Sequence, residues 1–110
     1  MFAIQIVKLS RNLQTDKHEF VLSKQVLRSG TAIGALIREA EFAQSNADFI
    51  HKFSIALKEA NETIYWIDLL KDSDYLESKV FEDLRPRCNE IVAMLVSSIN
   101  TLKKKGKGKS

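Results

Sequence analysis

Cysteine, proline, glycine and long apolar runs, which disulfide-bonded, β-rich or membrane-spanning proteins require, are scarce or absent in this sequence. A single cysteine, Cys88, excludes an internal disulfide framework. One proline and four glycines in 110 residues are too few for the many turns of a β-sandwich or barrel. There is no apolar run of about eighteen residues and no charged segment followed by a short apolar one. We therefore expect a cytoplasmic protein with no membrane segment and no secretory signal.

Apolar residues recur instead with the alternating spacing of three and four that one face of an α-helix requires. Four such runs follow one another and predict helices over about 2–13, 19–44, 48–71 and 81–102. The connections between them are short, which favours an all-α, antiparallel up-down-up-down four-helix bundle over residues 1–102. The length fits one domain, because a second core would leave each half too small to be stabilised by burial alone.

The apolar stripes of the three long helices predict which residues are buried. The expected core consists of Ile33, Leu36, Phe53, Ala56, Ala60 and Leu95. Gly30 and Gly34 lie four residues apart in the second helix, where each costs about 1 kcal/mol of helix stability relative to alanine. We interpret this pair as a site of close contact between helices, and a flexible joint is the alternative.

Polar residues and one proline predict where helices begin and end. Thr15 and Asp16 are candidate caps for the second helix, Ser45 and Asn46 interrupt the pattern before the third, and Ser73 and Asp74 lie before the fourth. Pro86 falls within the fourth helical pattern, where it removes a backbone donor. We expect it to kink or restart that helix, so that residues 75–85 form a separate turn.

The residue types that carry enzyme chemistry are scarce. His18 and His51 are scattered, and with one cysteine they do not supply the four ligands of a zinc site. Only Asp48 and His51 resemble the Glu-x-x-His pair of a di-iron bundle. Cys88 falls on the buried stripe of the fourth helix and is expected to be a core residue rather than a nucleophile. We therefore expect no catalytic residue, no metal and no cofactor.

Basic residues are distributed unevenly along the chain. Residues 1–40 hold six basic and three acidic side chains, and residues 41–102 hold six basic and eleven acidic ones. The last eight residues hold five lysines and no acid, which predicts a disordered basic tail over residues 103–110. Candidate nucleic-acid contacts are the cations outside the apolar stripes and the first tail lysines: Lys8, Arg11, Lys24, Arg28, Arg38, Lys103, Lys104 and Lys105.

The third helix carries apolar side chains beside or outside its seam. Ile55, Tyr65 and Trp66 are candidates for an interface between subunits, because aromatic residues are enriched at such interfaces. The alternative is that they are scattered apolar groups of an ordinary surface.

Two sequence blocks are more distinctive than the periodicity. EFVLSKQVLRSGTAIGALIREAEFAQS (19–45) and DFIHKFSIALKEANETIYWIDLL (48–70) closely resemble the four-helix-bundle proteins encoded in intervening sequences of bacterial 23S ribosomal RNA genes. These proteins are similar to the accessory variability determinant of diversity-generating retroelements. The resemblance implies a small cytoplasmic all-α bundle that assembles as a homopentamer. The retroelement relative acts on nucleic acid through a basic surface. The resemblance identifies no catalytic residue in this chain.

Two functional hypotheses follow from these observations. The first is a non-enzymatic homo-oligomer, expected to be a pentamer, whose basic surface binds RNA or DNA with little sequence preference. The alternative is a structural or protein-protein interaction module that presents the acidic surface of the third and fourth helices to a protein partner and has no nucleic-acid role.

Overall fold

A computed structural model describes residues 1–108 of the protein, with side chains as far as Lys105. The described chain consists of four helices and contains no strand: α1 (Phe2–Thr15), α2 (Leu22–Ala40), α3 (Asn46–Asp72) and α4 (Ser78–Gly108). Helix α3 packs against α2 and α4, and α1 packs against α2. The bundle is elongated, at 55 × 22 × 20 Å. The predicted all-α four-helix bundle is confirmed.

The boundary before α3 agrees with the sequence prediction, whereas the start of α2 differs from it. The Ser45 hydroxyl accepts a hydrogen bond of 3.1 Å from the Asp48 backbone N–H, so Ser45 caps α3 at the interruption that the sequence predicted. Helix α1 continues through Thr15, so the predicted caps Thr15 and Asp16 do not start α2. Helix α2 begins at Leu22 instead, where the Glu19 carboxylate accepts a bond of 2.8 Å from the Ser23 N–H.

Helix α4 is longer and more regular than the sequence predicted. It runs from Ser78 through Pro86 without interruption, so residues 78–85 are not a separate turn. Pro86 has no N–H group to donate to the carbonyl oxygen of Glu82, four residues earlier. Both residues lie at the surface, where water can bond to that carbonyl oxygen instead. Helix α4 continues through residues 103–108, where the sequence predicted the start of a disordered tail, and residues 109–110 of that tail lie outside the described residues.

The buried side chains form two clusters along the bundle axis. The first contains residues from all four helices: Ile6, Leu9, Leu13, Val26, Ile67, Leu70, Leu76, Leu84 and Cys88. The second contains residues from α2, α3 and α4 only: Ile33, Ala40, Phe53, Ala56, Ala60, Leu95 and Ile99. Five of the six predicted core residues belong to it, whereas Leu36 is half-buried. Helix α1 is short, and of its residues only Phe2 packs against this second cluster.

The two glycines of α2 have different surroundings because α1 covers only one of them. A Cβ atom added at Gly30 would lie 2.8 Å from Ile6 Cγ2 and 2.9 Å from Ile6 Cγ1, well inside van der Waals contact. A Cβ atom at Gly34 would meet nothing within 4 Å, and this glycine is exposed. The predicted close contact is therefore confirmed at Gly30 and wrong at Gly34.

We expect Gly30→Ala and Gly34→Ala to differ in stability, although the substitution and the helix are the same. Both gain about 1 kcal/mol of helix propensity. Only Gly30→Ala forces the buried, β-branched Ile6 to move, which costs about 1 to 3 kcal/mol. Urea unfolding should therefore show Gly34→Ala to be the more stable variant by about 1 to 3 kcal/mol. Equal stabilities would contradict the close packing of α1 on Gly30.

Candidate nucleic-acid interface

Four of the predicted cations lie exposed on the outer faces of α1 and α2. These are Lys8, Arg11, Lys24 and Arg38, and none of them forms an ion pair with a carboxylate of the described residues. Helical periodicity places them opposite the buried stripe because Ile6, Leu9 and Leu13 occupy the inner face of α1, and Val26 and Ile33 that of α2. Their charges are therefore available to an anionic partner.

Arg28 differs from the other predicted cations because α3 supplies it with two carboxylates. Its guanidinium donates to Glu59 Oε2 at 3.2 Å and also forms an ion pair with Glu62. The Glu59 side chain is only 15% exposed, so this pair is partly shielded from water. The sequence prediction grouped Arg28 with the cations outside the apolar stripes, and Arg28 is exposed. It also joins α2 to α3, where the two carboxylates balance its charge.

The remaining predicted cations, Lys103, Lys104 and Lys105, are exposed on the last turns of α4. They follow Ile99, which belongs to the second core cluster, whereas Lys8, Arg11 and Lys24 flank residues of the first. Arg38 lies near the second cluster, about 21 Å along α2 from Lys24 at 1.5 Å per residue. The structure therefore divides the predicted cations into two groups along the bundle.

The three candidate interface residues do not form one exposed patch. Tyr65 is exposed, whereas Ile55 and Trp66 are half-buried. Trp66 packs against the first core cluster, and its ring meets that of Tyr65 edge-on at a centroid distance of 5.0 Å. Further large apolar side chains are exposed on the bundle, among them Ile4, Val7, Phe20, Val21 and Phe42.

Cys88 is buried in the first core cluster, as its register predicted. Burial raises the pKa of its thiol from 9.0 to about 11, although the charge of Arg85 acts in the opposite direction. A thiol with such a pKa stays protonated near neutral pH and is a poor nucleophile.

We expect Cys88 to resist a thiol reagent such as DTNB in the native protein at pH 8 and to react rapidly in urea. The raised pKa also means that the native state retains the proton longer than the unfolded state. The contribution of Cys88 to stability should therefore be fully present below pH 9 and should be lost as the pH rises from 9 to 11. A native reaction rate equal to that of the unfolded chain would contradict the burial.

A pocket that the sequence did not predict lies between α1 and the turn that joins α3 to α4. It has a volume of about 370 Å³. Its apolar wall consists of Leu9, Leu13, Tyr75, Leu76 and Val80, and its polar edge includes Gln5, Lys8, Asn12 and Lys17. Helical periodicity gives no signal for it, because the residues come from two regions far apart in sequence. We call this cavity the α1 pocket.

Two further properties of the described residues bear on function. They contain no group of three histidine, cysteine, aspartate or glutamate side chains placed to hold a metal ion. No helix among them is both long enough and apolar enough to cross a bilayer.

Comparison with known proteins agrees with the fold. The family model described as 23S rRNA-intervening sequence protein matches residues 1–97. The chain is also similar to a crystal structure of a protein with unknown function from the S23 ribosomal protein family of Bacteroides thetaiotaomicron. The two are 54% identical and superpose with a TM-score of 0.88 over 89% of this chain and 91% of that chain. No curated protein matches the sequence. Because the family model covers most of its length, the chain belongs to the 23S rRNA-intervening sequence protein family.

Proposed function

We propose that the protein is a non-enzymatic, cytoplasmic homo-oligomer that binds RNA or DNA with little sequence preference. One observation carries this proposal: Lys8, Arg11, Lys24 and Arg38 are exposed on α1 and α2 without an acidic partner. Cations in such positions displace the counterions of a phosphate backbone. Contacts to phosphate carry no sequence information, so the binding is general.

Assembly strengthens this binding because each subunit repeats the same modest set of cations. We propose a closed ring of five subunits, with Tyr65 at an interface and Ile55 and Trp66 behind it. Once one subunit holds a strand, its neighbours meet that strand at a high effective concentration. Analytical ultracentrifugation at micromolar concentration should give a pentamer, and a monomer would contradict this part of the proposal.

The experiment that tests nucleic-acid binding is a salt titration with labelled single-stranded and duplex RNA and DNA. The double variant Lys24→Glu/Arg38→Glu should bind at least about tenfold more weakly than the wild type at low salt. A matched control is Lys58→Glu/Lys79→Glu, which changes the net charge equally at exposed lysines of α3 and α4. The control should lose much less affinity, and every affinity should fall steeply as salt increases.

The lysines of α4 provide a second comparison. Truncation after Leu102 removes all five lysines of residues 103–110, including Lys103, Lys104 and Lys105. We expect it to weaken binding less than Lys24→Glu/Arg38→Glu does. If truncation alone abolishes binding, the α1 and α2 surface is not the binding site. If the wild type binds no nucleic acid even at low salt, the proposal is wrong.

A second candidate function is a structural or protein-protein interaction module. It is favoured by the acidic character of residues 41–102, which hold eleven acidic and six basic side chains. Such a surface suits a basic protein partner. This function predicts no binding in the salt titration, so the same experiment separates the two.

A further inference from the structure

Three aromatic residues are exposed among the side chains that the structure describes: Phe20, Phe42 and Tyr65. Phe20 lies in the connection between α1 and α2 and is 52% exposed. It belongs to neither core cluster and is not among the apolar residues packed against them. The ring therefore contributes little to the packing of the bundle and is accessible to a partner.

Hydrogen bonds on both sides of Phe20 hold it beside the last turns of α1. The Glu19 backbone N–H donates to the Leu13 carbonyl oxygen at 2.9 Å. The Ser10 hydroxyl donates to the Ser23 carbonyl oxygen at 3.0 Å, which joins the same part of α1 to the first turn of α2. The backbone before and after Phe20 is therefore fixed to α1.

Two of the cations proposed to bind phosphate lie close to Phe20. Arg11 directly follows Ser10 and Lys24 directly follows Ser23, so the hydrogen bond between the two serines brings both cations to one level of the bundle. Both are exposed, and neither forms an ion pair with a carboxylate of the described residues. Phe20 precedes Lys24 by four residues. An exposed aromatic ring and two unpaired cations therefore share one end of the α1 and α2 surface.

The acidic residues of the same connection are engaged elsewhere. The Glu19 carboxylate accepts a hydrogen bond from the Ser23 N–H at the start of α2, where the partial positive charge of the helix N-terminus offsets its own. Asp16 and Lys17 both line the α1 pocket, and the lining of that pocket does not include Phe20. The charge that remains available to a ligand beside the ring is therefore that of the two cations.

We propose that Phe20 stacks on an unpaired base and thereby directs the protein to single-stranded RNA or DNA. This inference rests on the proposed function, because Arg11 and Lys24 hold phosphates of the same strand. Stacking on an aromatic side chain requires an unstacked base, which a single strand offers and a duplex does not. Every base has a π-face, so the contact adds affinity without sequence preference.

Phe42 provides a matched control because its ring is also exposed but lies in acidic surroundings. It is 80% exposed in the connection between α2 and α3, at the opposite end of α2. Its nearest charged neighbours in the chain are Glu41 and Glu39. Carboxylates repel a phosphate backbone, so this ring gains no strand on which to stack. The same substitution at the two positions removes the same ring from opposite electrostatic surroundings.

The test measures the affinity of the full-length protein for labelled single-stranded and duplex oligonucleotides of about ten nucleotides at low salt. Phe20→Ala should weaken single-strand binding about tenfold and should leave duplex binding within about twofold. Phe42→Ala should leave both within about twofold. Because Phe20→Ala removes no charge, the steepness with which affinity falls with salt should stay that of the wild type.

An abasic strand with the same number of phosphates isolates the contribution of the bases. The wild type should bind it about tenfold more weakly than the complete strand, and Phe20→Ala should remove that difference. Phe20→Trp should bind single strands at least as tightly as the wild type, whereas Phe20→Leu should lose as much affinity as Phe20→Ala. Full affinity in Phe20→Leu would show a general apolar contact and would contradict stacking.

Thermal unfolding and analytical ultracentrifugation of the variants exclude an indirect effect. Both should match the wild type for Phe20→Ala, because Phe20 packs in neither core cluster. If Phe20→Ala alters the oligomeric state, the ring lies at an interface with a second copy of the chain, and the proposal is wrong.

The remaining outcomes separate this proposal from the proposed function. If strands bind but Phe20→Ala leaves single-strand affinity unchanged, or if Phe42→Ala loses as much, stacking at Phe20 is wrong while the phosphate contacts stand. If the wild type binds no strand at any salt, the proposed function is wrong and the stacking proposal is wrong with it.

Discussion

Ile33→Ala should lower the free energy of unfolding by about 2 to 5 kcal/mol, the range for truncation of a buried aliphatic side chain. Ile33 is only 3% exposed and packs in the second core cluster, to which α1 contributes only Phe2. The loss comprises the transfer free energy of the removed methyl and methylene groups and the cavity that they leave. Urea unfolding followed by circular dichroism measures it.

A matched control for this prediction is Ile4→Ala on α1. Ile4 is 52% exposed, so its truncation leaves no cavity and should change stability by less than about 0.5 kcal/mol. If Ile33→Ala also costs less than about 0.5 kcal/mol, the register of α2 is wrong. If Ile4→Ala costs as much as Ile33→Ala, the outer face of α1 is buried in an assembly.

Arg28→Glu should destabilise the protein by about 2 kcal/mol, because it removes charge-assisted hydrogen bonds and places three carboxylates together. The guanidinium lies against both Glu59 and Glu62, and Glu59 is largely buried. Loss of the cation leaves the Glu59 carboxylate without its partner in a partly shielded position, and that is the larger part of the cost.

The control for this charge reversal is Arg38→Glu. Arg38 lies on the same helix and is exposed without an ion pair to any described carboxylate. We expect Arg38→Glu to change stability by less than about 0.5 kcal/mol. Thermal unfolding of the two variants tests this. Equal losses of stability would show that the ion pairs of Arg28 with the α3 carboxylates do not stabilise the protein. The comparison also explains why Arg28 is unsuitable for the nucleic-acid test, since its reversal confounds binding with stability.

The helices and their inner faces were predictable from the sequence because periodicity is a local property. Ile67, for example, follows Thr63 by four positions and precedes Leu70 by three, and that alternation places it on the buried stripe of α3. The burial of Cys88 follows from the same reasoning. The cap of α3 was also predictable, since Ser45 and Asp48 lie three residues apart.

The effect of Pro86 and the start of α2 were less predictable from the sequence. Pro86 lies within α4, and its effect depends on whether water reaches one carbonyl oxygen, which the packing of α4 determines. The start of α2 depends on Glu19, whose side chain caps the helix from a position that the apolar pattern had assigned to the helix itself.

An all-α bundle, its core stripes and the excess of cations on the first two helices can be predicted from the order of the residues alone. The contacts between these features depend on how the helices pack. This packing placed Arg28 between two carboxylates, paired the buried hydroxyls of Ser29 and Thr63 at 2.9 Å, and covered Gly30 but not Gly34. The physical reason is that helical periodicity fixes which side of a helix faces inward. The contacts of any residue with a neighbouring helix depend on the relative lengths and offsets of the helices, which no short stretch of sequence encodes.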